Sequence, residues 1–115
     1  MSDTAVVGRI LAGLADPTRR QILDLLASAG SGTATTVAAA LPVSRQAVVK
    51  HLAVLDRAGL VNGRRSGREV RYLPCPDRLD EAARWLSELA GEWDRRLRAI
   101  KLIAEGLSPG KDHEG

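Results

Sequence analysis

Apolar residues recur at three- and four-residue steps over most of this chain and alternate over one short stretch. The first pattern marks helices with one buried face and the second marks a half-buried strand. Val6, Ile10 and Leu14 predict a first helix over 4–14. A second helix starts at Asp16-Pro17, because Asp accepts hydrogen bonds from the free N–H groups of a first turn and Pro has none to satisfy. Ile22, Leu23, Leu26 and Ala29 form its predicted inner face, and Gly30 is placed to take a left-handed cap. A short third helix is predicted over 36–41, capped by Thr35. Pro42-Val43 breaks the chain and Ser44 restarts it as the N-cap of a fourth helix reaching about Ala58. Val48, Leu52 and Leu55 fall on one stripe of that helix.

Two short strands follow, over 60–64 and 69–73, joined by a turn at Ser66-Gly67. Val70 and Tyr72 alternate inward and Arg71 outward. Pro74 and Pro76 end the second strand. A final helix is predicted over 78–105 with Asp77 as its cap, carrying Leu79, Ala82, Leu86, Leu89, Ala90, Trp93, Leu97, Ile100 and Ala104 on one side. The expected architecture is mainly α with a small β-hairpin (α+β): about five helices and a two-stranded wing. Residues 1–107 are expected to form one domain, and 108–115 a flexible tail.

Charge sharpens this picture. The chain's formal charge is +3, but between Ser44 and Tyr72 it carries seven basic residues and two acids, leaving −2 for the remainder. A positive module in an otherwise balanced protein suits a polyanionic partner. The helix–turn–helix order, with a turn too short for antiparallel packing, suggests two helices that cross steeply. In that geometry the second helix enters the DNA major groove by its leading end. The candidate contacts are Ser44, Arg45, Gln46, Val49, Lys50 and His51. Arg and Lys can bond guanine, Gln can bond adenine, and Val49 can touch a thymine methyl. Ser44 has a capping role and can also approach a phosphate, and His51 can pack or contact a phosphate. Arg64, Arg65, Arg68 and Arg71 on the hairpin can reach backbone phosphates or a flanking minor groove.

The stretches LADPTRRQILDLL, LPVSRQAVVKHLAVLDRAGLV and RRSGREVRYLP resemble the ArsR family of winged helix-turn-helix repressors over roughly 11–76. The resemblance implies a dimer that binds a palindromic operator, with recognition on 44–51 and a wing on 64–71. Many members sense metals through a Cys-x-Cys pair near the third helix, where this chain reads TATTVAAAL; others use Asp and His on the last helix. One cysteine (Cys75) and two histidines (His51 and His113) cannot build such a site within one subunit. The sequence therefore resembles the metal-independent branch, with no metal site and no cofactor.

The last helix would be about 42 Å long at its predicted length, more than the fold's body can cover. Its stripe, represented by Leu86, Trp93, Leu97 and Ile100, is therefore expected to pair with a second copy, joined by Val6, Ile10 and Leu14 of the first helix. No run of about 18 apolar residues is available to span a membrane. With no basic-then-apolar leader and no possible intrachain disulfide, the expected location is the cytoplasm. No nucleophile motif, phosphate loop or paired carboxylate suggests an enzyme. The alternatives are a winged-helix protein-interaction module, and a redox or small-molecule sensor that uses Cys75, which sits between two prolines near Arg78.

Overall fold

A computed structural model describes residues 3–106 of the chain; the expected tail over 108–115 lies outside the described residues. Five helices and three strands follow in the order α1 (Asp3–Ala15), α2 (Pro17–Ala29), β1 (Gly32–Thr33), α3 (Ala34–Ala40), α4 (Arg45–Arg57), β2 (Val61–Ser66), β3 (Glu69–Pro74) and α5 (Asp77–Ala104). Two compact units divide the chain, Met1–Ala82 and Ala83–Gly115.

Local chemistry sets the start of α2. The Asp16 carboxylate accepts the N–H of Thr18 at 2.7 Å and that of Arg19 at 3.3 Å, and Gly30 closes the helix at φ 88°. Partial desolvation pushes the Asp16 pKa up. The two N–H bonds, with the positive charges of His51 and Arg19, outweigh it and hold the carboxyl below its ordinary range. The charged form is thus favoured by folding. That contribution is complete above the ordinary carboxylate pKa and is lost as pH falls through the lowered one. Asp16→Asn keeps a capping oxygen but cannot titrate. It should flatten the loss of stability below about pH 4, read as the urea midpoint against pH; an unchanged acid limb would contradict this.

The core of the first unit is aliphatic. Ile10, Ile22, Val48, Leu52 and Leu55 have no exposed surface, and Leu26, Val37, Leu60, Val61 and Ala82 close around them. Ile10 is therefore a core residue and not the interface contact expected of it. Val6 and Leu14 are half-buried against the same core, so the stripe of α1 faces its own body. Ala29, expected on the inner face of α2, is exposed.

Several boundaries differ from expectation; β2 runs on to Ser66, and Asp77, expected as a cap, is the first residue of α5. Helix α3 begins at Ala34, capped by Thr33 rather than Thr35. Thr33 and Thr36 form a reciprocal pair: Thr36 N–H donates to Thr33 Oγ1 at 3.2 Å and Thr33 N–H donates to Thr36 Oγ1 at 2.9 Å. That satisfies two otherwise orphaned donors. The hairpin also belongs to a three-stranded antiparallel sheet, ordered β1-β3-β2, with Gly32 opposite Tyr72. Its turn lies one residue later than expected: Ser66 pairs with Glu69, leaving Gly67 (φ 64°) and Arg68 as the loop.

In the second unit, α5 carries a continuous apolar stripe. Leu86 is 45% exposed, Trp93 58%, Leu97 64% and Ile100 60%. Ile103, absent from the expected stripe, is the most exposed at 77%. The helix also carries charged pairs, with Arg96 bonded to Glu92 at 2.7 Å and Arg98 bonded to Asp94. Spaced four apart, these pairs support the helix itself.

Candidate nucleic-acid interface

Helix α4 is anchored on one side and open on the other. Val48, Leu52 and Leu55 are completely buried, which fixes the helix's rotation about its axis. Arg45, Gln46, Val49 and Lys50 consequently face solvent over its first two turns. Ser44 Oγ accepts the N–H of Ala47 at 3.1 Å, so the hydroxyl is engaged in capping. The remaining N–H groups of that first turn add partial positive charge to a basic end.

Helix α3 steadies that end. Arg45 Nε donates to Thr35 Oγ1 at 3.2 Å, which aims the guanidinium while its two terminal nitrogens have no bond to the described residues. Thr35, read from the sequence as a cap, is instead this positioning partner. Only the three-dimensional crossing of α3 and α4 brings the pair together. His51 sits on the flank of α4, half-buried, with Nδ1 lying 3.4 Å from Nη1 of Arg19.

The hairpin divides its charge between two faces. Arg65 lies opposite Val70, on the face shared by Tyr72 and Gly63. That face is packed closely: a Cβ on Gly63 would stand 2.9 Å from the Tyr72 ring. Arg64 lies opposite Arg71 on the other face, and Arg68 occupies the loop. Arg71 is partly engaged, donating to Ser31 Oγ at 3.1 Å. Like charges directly across a strand pair are destabilising in the free protein, and an anion between Arg64 and Arg71 would relieve them. A groove of about 280 Å³ separates the α3–α4 corner from β3, with Thr35, Arg45 and Val49 on one wall and Arg68, Val70 and Tyr72 on the other. The helix end and the wing thus border one concavity, whose lining holds Arg45 and Arg68 together with Glu69.

The structure does not bring Cys75 into this site. Its thiol lies 3.8 Å from the Leu73 carbonyl, and neighbouring Arg78 is held by Glu81 at 2.8 Å. No group of three or more His, Cys, Asp or Glu side chains is placed to hold a metal ion among the described residues. No described helix is long and apolar enough to cross a membrane.

Comparison with known proteins agrees with this geometry. A family model described as a helix-turn-helix domain matches residues 14–64. The transcriptional repressor SdpR of Bacillus subtilis is 29% identical over 79% of this chain and 100% of its own length. A solved ArsR-like transcriptional regulator from Rhodococcus sp. RHA1 is 44% identical, with a TM-score of 0.78 over 88% of this chain and 94% of that one. The solution structure of Mb0332 from Mycobacterium bovis, described as a homodimeric winged helix-turn-helix DNA-binding domain, is 29% identical, with a TM-score of 0.59 over 84% of this chain and 85% of that one.

Proposed function

Since the chain belongs to the ArsR-like family of helix-turn-helix transcriptional regulators, we propose that it is a homodimeric repressor that binds a two-fold-symmetric operator. The observation that carries this reading is the exposed, basic leading end of α4, locked in rotation by three fully buried residues on its other side. That end enters the major groove. Gln46 and Lys50 read base edges, Val49 meets a thymine methyl, and Arg45 bonds a guanine or a phosphate. Arg64, Arg65 and Arg68 hold phosphates beside the groove.

Pairing follows the apolar stripe of α5, in which Leu86, Trp93, Leu97 and Ile100 of two copies meet around a two-fold axis. Two α4 helices held about 34–36 Å apart then reach successive major grooves on one face of the duplex. Repression follows from occupying promoter DNA in the cytoplasm, with no catalytic step. Having one cysteine and two histidines supports the metal-independent branch of the family.

Selection from random duplexes tests this. It should enrich a symmetric motif whose half-site centres are about one helical turn, 10–10.5 base pairs, or a multiple apart. Replacing Arg64, Arg65 and Arg68 together by Ala should weaken selected and random DNA alike. The slope of log affinity against log salt should fall by about 0.9 for each phosphate that is no longer neutralised. A protein that enriches no sequence, and whose weak DNA binding ignores salt, would instead be a protein-interaction module.

A further inference from the structure

Three elements meet at the guanidinium of Arg19. Its Nε donates to the Gly13 carbonyl at 2.8 Å and its Nη2 to the Ala12 carbonyl at 2.8 Å, both at the C-terminal end of α1. Carbonyls at a helix C-terminus carry partial negative charge, so this is a favourable seat for a cation. Nη1 stands 3.8 Å from the carboxylate of Asp16, the N-cap of α2, and 3.4 Å from Nδ1 of His51 on α4. The Arg19 side chain is only 16% exposed. Four contacts from three helices hold the guanidinium, and it in turn holds the imidazole.

The chemistry of the two groups fixes where the His51 proton goes. Every guanidinium nitrogen donates and none accepts. When the ring is neutral, the imidazole nitrogen facing it is therefore the bare one, so Nδ1 accepts and the single proton resides on Nε2. Nε2 has no partner among the described residues. No buried side-chain nitrogen or oxygen among the described residues lacks a partner, so Nε2 opens to solvent. It does so on the flank of α4, one residue after exposed Lys50.

We propose that Arg19 is a positioning residue that holds His51 as the Nε2–H tautomer, so that this N–H donates to a DNA phosphate lying along α4. The inference rests on α4 being the recognition helix. It adds a contact that is neutral and directional, unlike the cations of the wing. It also links that contact to the α1–α2 junction through the carbonyls of Ala12 and Gly13.

Two side-chain amides separate the ring nitrogens, because Gln reaches about as far as Nε2 and Asn about as far as Nδ1. The test uses the full chain and its selected operator duplex. His51→Gln should bind within about threefold of the unaltered protein, whereas His51→Asn and His51→Ala should bind at least about tenfold more weakly, the loss expected for a hydrogen bond to a charged group. In the unaltered protein, nitrogen-15 spectra of the neutral imidazole should show an unprotonated Nδ1 and a protonated Nε2, with the Nε2 signal moving on addition of DNA. In Arg19→Gln, the Nδ1–H form should appear beside it. Retention by Asn with loss in Gln, equal loss in both, no loss in any variant, or an Nδ1–H ring in the unaltered protein would each overturn the proposal. Gln46→Ala serves as the control. If it changes sequence preference while the His51 variants bind normally, only this inference falls. If neither affects binding, the recognition-helix reading falls with it.

Discussion

A chain carrying both Trp93→Glu and Leu97→Glu should sediment as a monomer and bind its operator about 100-fold or more weakly, because joining two modules commonly raises affinity by about 10²–10⁴. Both side chains are more than half exposed in the single chain, at 58% and 64%. Large apolar residues clustered at such exposure mark an interaction surface. Glutamate is a good helix former, so α5 should keep its helix while two carboxylates from each copy are forced into the seam. Leaving charges unpaired in an apolar interface is costly. The discriminating readout is a pair of measurements on one sample: sedimentation for mass and titration with half-operator duplex. The monomer should still bind a half-site weakly. A variant that remains dimeric, or a monomer with full operator affinity, would exclude α5 as the pairing surface.

The second large effect concerns the rod itself. Leu52→Ala should cost about 2–5 kcal/mol of stability, a large share of the roughly 5–15 kcal/mol typical of a whole domain. Leu52 has no exposed surface and lies between Val48 and Leu55, within the cluster built by α1, α2 and the base of the hairpin. A cavity there frees α4 to rotate or tilt, so DNA affinity should fall together with stability. Urea unfolding at matched protein concentration measures it, since pairing itself shifts apparent stability. A loss below about 1 kcal/mol would mean that the site collapses around the missing methyl groups. It would also mean that the helix is not held by this stripe.

Elements with chemical punctuation are legible in the sequence. Asp16-Pro17 and Gly30 bracket α2, and Ser44 starts α4, because caps satisfy backbone groups with side chains a few residues away. The choice among Thr33, Thr35 and Thr36 is not legible there. Any of the three can cap, and the reciprocal bonds of Thr33 and Thr36, with Ala34 buried behind them, decide it. Strand β1 is two residues long and shows no alternation; it exists through its pairing with Tyr72 and Arg71 far along the chain. Ile10 departs from expectation because an apolar stripe does not say what covers it, and α1 turns that stripe toward α2 and α4. For the candidate interface, the exposed quartet of Arg45, Gln46, Val49 and Lys50 is readable from the period of Val48, Leu52 and Leu55. The partners of Arg45 and His51, Thr35 and Arg19 respectively, are not, since they lie 10 and 32 residues away.

Base-resolved binding decides whether the leading end of α4 reads sequence while the wing supplies position. Affinities for the selected operator and for a full set of its single-base substitutions would be measured for the unaltered protein, Gln46→Ala, Lys50→Ala and Arg64→Ala. Gln46→Ala and Lys50→Ala should each abolish discrimination, about 1–3 kcal/mol, at one base pair per half-site. Arg64→Ala should lower every affinity by a common factor. If all three variants lower every affinity by a common factor, or if loss of Arg64 alone erases a base preference, α4 does not read the groove.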